Sequence, residues 1–250
     1  LSTTVGSTYS PAFFLYYTAT IPKFIANFGQ DSTFSGNRVA GGNQDDNGIG
    51  DFAYAPPSGY LALCTANLTT PTIIDGSEHF NTVLYTGTGA SNAITGVGFQ
   101  PDFTWIKRRD SSASHNLHDI VRGANQQLNS DGTASESTNT NFSSFDSDGF
   151  TVISGNGYNG STYTYAAWNW LAGGTAVSNT DGSITSQVSA NVDAGFSIVS
   201  YTGNGSAGAT VGHGLSAQPS MVIIKNRDDS IRDWLVYHQS IGNTSALFLN

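Results

Sequence analysis

The stretch FNTVLYTGTGASNAITGVGFQPDFTWIKRR, residues 80–109, decides the fold because the chain repeats it. The second copy, FSIVSYTGNGSAGATVGHGLSAQPSMVIIKNR, occupies residues 196–227 and carries a two-residue insertion, Ser216-Ala217. The copies match at Tyr85/Tyr201, Thr86/Thr202, Gly87/Gly203, Gly89/Gly205, Gly98/Gly214, Pro101/Pro219, Lys107/Lys225 and Arg109/Arg227. The copies begin at Phe80 and Phe196, so one full repeat has the length of a domain rather than of a solenoid unit. We therefore predict that residues 80–172 and residues 196 onward share one fold.

Short strands account for most of each copy. The segments that predict them are rich in β-branched and aromatic residues and are bounded by glycine or proline. They are Phe80–Thr86, Phe103–Lys107, Gly149–Ser154 and Thr162–Leu171. Alternation places Trp168 and Trp170 on one face of the last strand and Tyr163 and Tyr165 on the other. We predict that the tryptophan face fills the core, together with Phe103, Trp105 and Ile223.

Polar stretches divide the chain. Residues 130–147 are almost all small and polar, which predicts an exposed loop. The predicted fold is all-β, a tandem of β-sandwiches with four parts. The parts are residues 1–75, residues 76–175 as the first repeat, residues 176–193 as a linker, and residues 194–250 as a truncated second repeat. Because the chain begins at Leu1 and ends in an apolar run at Asn250, we expect it to be a piece of a longer polypeptide.

The composition excludes several classes of protein. Nine Lys and Arg against 18 Asp and Glu give a net charge of −9, whereas binding nucleic acid needs clustered basic residues. The single Cys64 excludes an intrachain disulfide and a multi-cysteine metal centre. The longest apolar run, Pro11–Tyr17, is far shorter than the roughly 20 residues of a membrane span. We therefore expect no nucleic-acid partner, no membrane insertion and no cofactor.

Two family resemblances emerge from these motifs. The segments Asn27–Gln30 and Phe52, the turn Pro56–Tyr60 and the run Leu61–Cys64 resemble the closing half of a SPRY-like, concanavalin-like β-sandwich. The motifs GFQPDF at Gly98, SFDSDGF at Ser144 and AAWNW at Ala166 resemble a repeat of phage and prophage virion proteins. The resemblances imply a location on the surface of an extracellular virion. Because such domains are shared by fibres and decoration proteins, they do not indicate a biochemical activity.

No motif for metal or nucleophilic chemistry is complete. Asp146–Gly149 begins like a calcium loop, but the twelfth position, which needs a bidentate Glu, is Gly157. Asp45–Gly48 is a second oxygen-rich turn, and calcium at either turn stays an alternative to plain turn formation. His115 and His118 are spaced for a shared metal only on a turn or helix, and no third ligand is evident. We therefore predict neither a metal site nor a catalytic site.

Contact residues are the remaining site candidates. Tyr158 and Tyr163 are the predicted contacts to a glycan or protein partner, because sugar rings stack on exposed aromatic faces. Lys107 and Arg109, with Lys225 and Arg227, are expected to mark a shared strand end and to pair weakly with Asp110 and Asp228. The carboxylates Asp110, Asp119, Glu136 and Asp146 are the candidates considered for glycan cleavage, which needs two carboxylates across a groove. A solvated surface role is the expectation for all four.

These observations predict a non-enzymatic virion structural protein of a bacteriophage. It would be a tail fibre, capsid fibre or decoration that displays β-modules and adheres to the host surface. Its partners would be copies of itself, other virion proteins and a host surface glycan. The resemblance to phage fibres implies a trimer. Two alternatives stay open: a secreted or cell-surface carbohydrate-binding module, and a depolymerase fibre with an interfacial active site.

Overall fold

A computed structural model describes residues 25–250, which form two compact units divided between Pro71 and Thr72. Among the described residues, all the strands belong to the second unit. They are β1 (Phe80–Thr86), β2 (Asn92–Ile94), β3 (Phe103–Arg108), β4 (Asn116–Asp119), β5 (Gln126–Asn129), β6 (Ser137–Thr138), β7 (Phe142–Asp146), β8 (Gly149–Val152), β9 (Thr164–Trp170), β10 (Val177–Asn179), β11 (Ser186–Asn191), β12 (Phe196–Tyr201), β13 (Met221–Ile224), β14 (Leu235–His238) and β15 (Leu247–Phe248). Two short 3₁₀ helices, Thr65–Asn67 and Gly76–Glu78, are the only helices in the described part. The prediction of an all-β fold is confirmed.

The first unit, described over residues 25–71, is built from turns. One isolated bridge joins Asn43 to Phe52, and side-chain hydrogen bonds hold the loops. The buried Asp45 carboxylate accepts hydrogen bonds from the backbone N–H groups of Asn47, Ile49 and Ala62. Asn27–Gln30 and Leu61–Cys64, two of the segments that resemble a SPRY-like sandwich, form no strand. The reason is that Asn27 bonds to nearby backbone groups and Gly29 has a φ of 96°, which a strand does not permit.

A six-stranded antiparallel sheet organises the first module, which we define as residues 80–172. Its strand order is β1-β9-β3-β4-β5-β6, so β9, which is late in the sequence, lies between β1 and β3. The register pairs Trp168 with Thr82 on one side and with Trp105 on the other. A second sheet has the order β2-β8-β7.

The main core contains side chains from both sheets. Ile106, Tyr165 and Ala167 of the six-stranded sheet cluster with Phe142 and Phe150 of the other. The prediction that the tryptophan face of β9 fills this core is wrong, because Tyr165 is fully buried while Trp168 and Trp170 lie half-buried on the opposite face. Tyr165 can be buried because its hydroxyl donates to the carbonyl of Asn156 and accepts from the N–H of Gly160.

Two segments predicted as polar connections contain strands. Residues 176–193 hold β10 and β11 rather than a linker, because Val188 alternates with polar residues and is buried. Residues 130–147 hold β6 and β7, and Phe142 of β7 is fully buried in the core. In both segments one or two apolar residues at alternate positions are enough to anchor a strand.

The second module, defined as residues 196–250, contains strands of two three-stranded sheets. Their orders are β10-β11-β12 and β13-β14-β15. The hydrogen bond from the N–H of Ile120 to the carbonyl of Asp102, 2.8 Å, has a counterpart of 2.8 Å from Gln239 to Ser220. The bond from Ser130 to His115, 3.3 Å, likewise has a counterpart from Leu249 to Trp234, 3.2 Å. Gly123 and Gly242, at matching places after β4 and β14, both have positive φ.

Candidate functional site

The two predicted contact tyrosines differ in accessibility. Tyr158 is 3% exposed and belongs to the main core, so a glycan or partner protein cannot reach its ring, and the prediction for this residue is corrected. Tyr163 is half-buried, and the guanidinium of Arg108 lies 3.3 Å from the centre of its ring. One face of Tyr163 is therefore already occupied by a cation.

Tyr158 is held by a buried histidine. Its hydroxyl lies 2.9 Å from Nε2 of His118, and Nδ1 of His118 lies 2.7 Å from the carbonyl oxygen of Ala124. Because a carbonyl only accepts, Nδ1 carries the proton and Nε2 accepts from the tyrosine. The His118 ring also stacks on Phe142, with centroids 4.5 Å apart. Burial lowers the pKa of His118 from 6.5 to about 3, so the ring is neutral at neutral pH, with its single proton on Nδ1.

This buried histidine predicts an acid-sensitive fold. The unfolded chain protonates His118 near its ordinary pKa of 6.5 and the folded chain does not, so stability falls as pH drops below that value. We expect the His118 contribution to make the second unit about 2 kcal/mol less stable at pH 5 than at pH 7. Denaturant unfolding of the chain and of His118→Phe at both pH values measures how much more the free energy of unfolding of the chain depends on pH than that of the variant. A His118 NMR signal that titrates near pH 6.5 in the folded chain would contradict the prediction.

An aromatic face covers the side of the six-stranded sheet opposite the main core. We define it as Phe80, Phe103, Trp105, Trp168 and Trp170. The ring of Trp170 lies 4.7 Å from that of Phe80 and 5.2 Å from that of Phe103. Phe196 of β12 stacks on Trp170 at 6.0 Å, so the second module covers part of this face. Trp105 and Trp168 remain half-buried beside each other, at 6.5 Å.

Trp234 covers another part of the same sheet surface. It is 6% exposed and packs in a cluster with Leu117 and Leu128 of the first module. Its indole N–H donates to the backbone carbonyl of Asn129 at 2.8 Å. A residue of the second module thus completes an apolar cluster of the first, so the two modules are packed together rather than strung on a polar linker.

An ion network also joins the modules. The Arg122 guanidinium bonds to Asp119 at 2.5 Å and to Glu136 at 3.0 Å. Glu136 also accepts from Arg227 at 2.6 Å, and its backbone N–H donates to the Arg227 carbonyl. Burial opposes ionisation of Glu136, but the hydrogen bonds from Arg227 and Arg122 outweigh it, so the pKa of Glu136 is lowered. The network keeps this carboxylate charged at the junction.

The carboxylates considered for glycan cleavage all have structural partners. Asp119 and Glu136 belong to the ion network. Asp110 pairs with Arg108 at 2.5 Å and accepts from the N–H of Thr164 at 3.0 Å. Asp146 accepts from the hydroxyls of Ser144 and Thr151. The arrangement uses these groups to fix loops and strand ends.

Neither oxygen-rich turn gathers a set of metal ligands. Asp148, in the turn between β7 and β8, accepts from the N–H groups of Gly96 and Gly98, and these bonds lower its pKa. His115 accepts from the indole of Trp105, while His118 is buried with Tyr158, so the two histidines face different surroundings. Over residues 25–250 there is no group of three or more His, Cys, Asp or Glu placed to hold a metal ion.

The repeated basic residues have different partners from those predicted. Lys107 donates to the carbonyl of Ala113, and Lys225 donates to that of Arg232 at 2.9 Å, so both close the loop after their strand. Arg108, rather than Arg109, pairs with Asp110, and Arg227 pairs with Glu136 rather than Asp228. The lysines therefore mark a shared strand end, as predicted.

An open groove of about 420 Å³ lies in the first unit. Aromatic and proline side chains line it, including Phe28, Phe52 and Tyr54, and the Arg38 guanidinium lies 5.0 Å from the centre of the Tyr54 ring. Asn27 is the one amide side chain among the lining residues. So few polar groups would do little to orient a small ligand.

Sequence reasoning missed three residues that hold the second unit together. Glu136 was grouped with surface acids, and Trp234 was not singled out. Asp102 is 1% exposed and accepts from the N–H groups of Ala172 and Gly174, and burial raises its pKa. The one available signal was that Trp234 is a large aromatic in a short polar segment, where exposure would be costly.

The strands, their antiparallel sheets and the buried polar contacts define an all-β protein. The model of a family described as a domain of unknown function, DUF7483, matches residues 75–250, so the chain belongs to this family. No curated protein and no solved structure matches the chain. Among residues 25–250, none of the helices has the length and apolar character that crossing a membrane requires.

Proposed function

We propose that the chain is a non-enzymatic structural protein of a bacteriophage particle, which displays its β-modules on the virion surface and works by assembly and adhesion. The observation that carries the proposal is the apolar surface of the second module. Met221, Ile223 and Ile224 of β13 are 50%, 41% and 43% exposed. Leu235, Leu247 and Phe248 of the same sheet are also exposed. Exposed apolar clusters of this kind are typical of surfaces that further polypeptide covers.

We also propose that the modules are two β-sandwiches of one fold. The matching hydrogen bonds of Ile120 and Gln239, and of Ser130 and Leu249, support this proposal. The registers support it as well, since β3-β4-β5 and β13-β14-β15 have the same strand order and the same antiparallel pairing. Repetition of a module multiplies weak contacts, which suits display on a particle.

The junction supports a mechanical role. The Glu136 network and Trp234 fix the second module against the first, so a force or contact on one is transmitted to the other. Most of the surface is neutral, because only 11% of the residues are charged. Physiological salt screens charges beyond roughly 8 Å, so a net charge of −9 does not prevent association. The half-buried Trp105 and Trp168 are the aromatic surface that a host glycan would contact.

The assembly proposal predicts a defined oligomer or a particle-bound state. Light scattering of the chain at micromolar concentration is expected to show a trimer, and antibodies to the chain are expected to label phage particles. Ile224→Asp should dissociate the oligomer, because it places a charge in the exposed apolar sheet. Val39→Asp, at an 89% exposed position of the first unit, is the matched control and should change nothing. A strict monomer with no affinity for particles would contradict the proposal.

A further inference from the structure

One continuous segment of the first module receives the second module. It spans residues 111–139 and contains β4, β5 and β6, and we call it the receiving segment. The Trp234 indole donates to the carbonyl of Asn129 in this segment at 2.8 Å. Arg227 pairs with Glu136 of the same segment at 2.6 Å. These contacts of the second module therefore depend on the receiving segment staying in place.

Two histidines, one just before β4 and one within it, tie the receiving segment to the rest of the first module. On the aromatic face, His115 Nδ1 accepts from the indole N–H of Trp105 on β3 at 2.9 Å. On the side of the main core, His118 Nε2 accepts from the hydroxyl of Tyr158 at 2.9 Å. An indole can only donate, and the other ring nitrogen of His118 already donates to Ala124. Neither accepting nitrogen can therefore carry a proton while these bonds exist.

The charged groups that face His115 come from two neighbouring elements. Lys107 lies on β3, and Asp131 follows β5 and accepts from the backbone N–H of His115. Burial and the Lys107 charge lower the pKa of His115, and Asp131 offsets them only in part. The closed receiving segment thus disfavours the protonated form of this ring.

The charged group that faces His118 is Arg122, in the loop between β4 and β5. Burial and this cation lower the pKa of His118, and the hydrogen bond to the Ala124 carbonyl opposes them. Arg122 is itself paired with Asp119 and Glu136. The rings that contact His118, those of Phe142 and Tyr158, are neutral.

Opening of the receiving segment exposes both histidine rings to water, where a histidine has its ordinary pKa near 6.5. The open form therefore takes up protons below that pH and the closed form does not, so acid favours opening. Glu136 is still ionised at pH 5, because its pKa is lowered from 4.5. Between pH 7 and pH 5 the histidines, and not the carboxylate of the junction, supply the pH dependence.

We propose that the receiving segment is an acid-operated release element. When His115 and His118 take up protons, residues 111–139 open from the rest of the first module as one unit, and Trp234 and Arg227 lose their contacts there. The segment forms the outer half of the six-stranded sheet, beyond β3, so it can open while β9 stays paired with β1 and β3. This release acts within one chain and does not depend on the assembly function proposed above.

Native-state hydrogen exchange of the whole chain at pH 7 and pH 5, read by mass spectrometry and corrected for the intrinsic exchange rate, tests the proposal. We expect peptides from residues 111–139 and 233–238 to be less protected than peptides from β1 and β9 at both pH values. Their opening constant should rise about 25-fold between pH 7 and pH 5 through His118 alone, and further through His115. Protection equal to that of β1 and β9, or an opening constant that does not change with pH, overturns the proposal.

Glutamine variants separate proton uptake from packing. His115→Gln and His118→Gln each replace the accepting nitrogen by a carbonyl that cannot titrate, so each should reduce the rise in the opening constant, and the double variant should abolish it. Because the rise is a ratio within one variant, a uniform loss of stability cancels. His213→Gln is the matched control, since His213 accepts from the nearby N–H of Leu215, outside the receiving segment, and should leave the rise unchanged.

The half-buried His115 keeps the test decisive if His118→Gln does not fold. A rise that His115→Gln leaves at its full size, or that the double variant retains, overturns the proposal.

Discussion

Replacing Trp234 with alanine is expected to lower the free energy of unfolding of the second unit by about 4 kcal/mol. Trp234 is 6% exposed and packs against Leu117 and Leu128 of the first module. Its removal opens a cavity between the modules and leaves the carbonyl of Asn129 without the indole donor. Denaturant unfolding followed by circular dichroism measures the loss.

Two variants separate packing from the hydrogen bond. Trp234→Phe keeps a ring in the cluster but loses the donor, so about 1 to 2 kcal/mol of destabilisation is expected. Ile231→Ala, three residues earlier and 76% exposed, should be neutral. A loss below about 1 kcal/mol for Trp234→Ala would mean that the modules do not share this cluster. A broader, two-step unfolding curve would agree with modules that have come apart.

The strands of the first module could be predicted because their local pattern is strong. Phe80–Thr86 is rich in β-branched and aromatic residues and is followed by a glycine, and the structure forms β1 over those residues. The same holds for β3 and β9, whose predicted bounds lie within two residues of the observed ones. Glycine and proline set these limits locally, so no knowledge of tertiary contacts was needed.

Which face of a strand is inside could not be predicted from the same pattern. Alternation separates Tyr165 from Trp168, but the side that becomes the core depends on the sheet that packs against it. Here β7 and β8 supply Phe142 and Phe150 to the tyrosine side. The tryptophan side is covered in part by Phe196. Because those partners are distant in sequence, hydrophobicity alone favoured the larger tryptophans.

The junction depends on contacts of the longest range and left no local signal. Glu136 lies in a polar segment, and Arg227 is distant from it in the sequence. Polar composition predicted solvent exposure for residues 130–147 and 176–193. This prediction was wrong for Glu136, because its charge can be buried between the guanidinium groups of Arg122 and Arg227. Ile223 was predicted to be buried, but it is 41% exposed, and β13 stands at the end of its sheet.

Glu136→Gln is expected to destabilise the second unit by about 3 kcal/mol, because it leaves the buried Arg122 guanidinium with one carboxylate instead of two. The effect should depend on pH. The pKa of Glu136 is lowered from 4.5 in the folded chain, so its stabilising contribution is complete above that value and is lost as pH falls through the folded pKa. The free-energy difference between the chain and the variant should therefore be constant near neutral pH and shrink in acid.

Glu78→Gln is the matched control, since Glu78 is exposed and is the other glutamate of the chain. A difference that stays constant down to acid pH would show that Glu136 acts through its size and hydrogen bonds, and not through its charge.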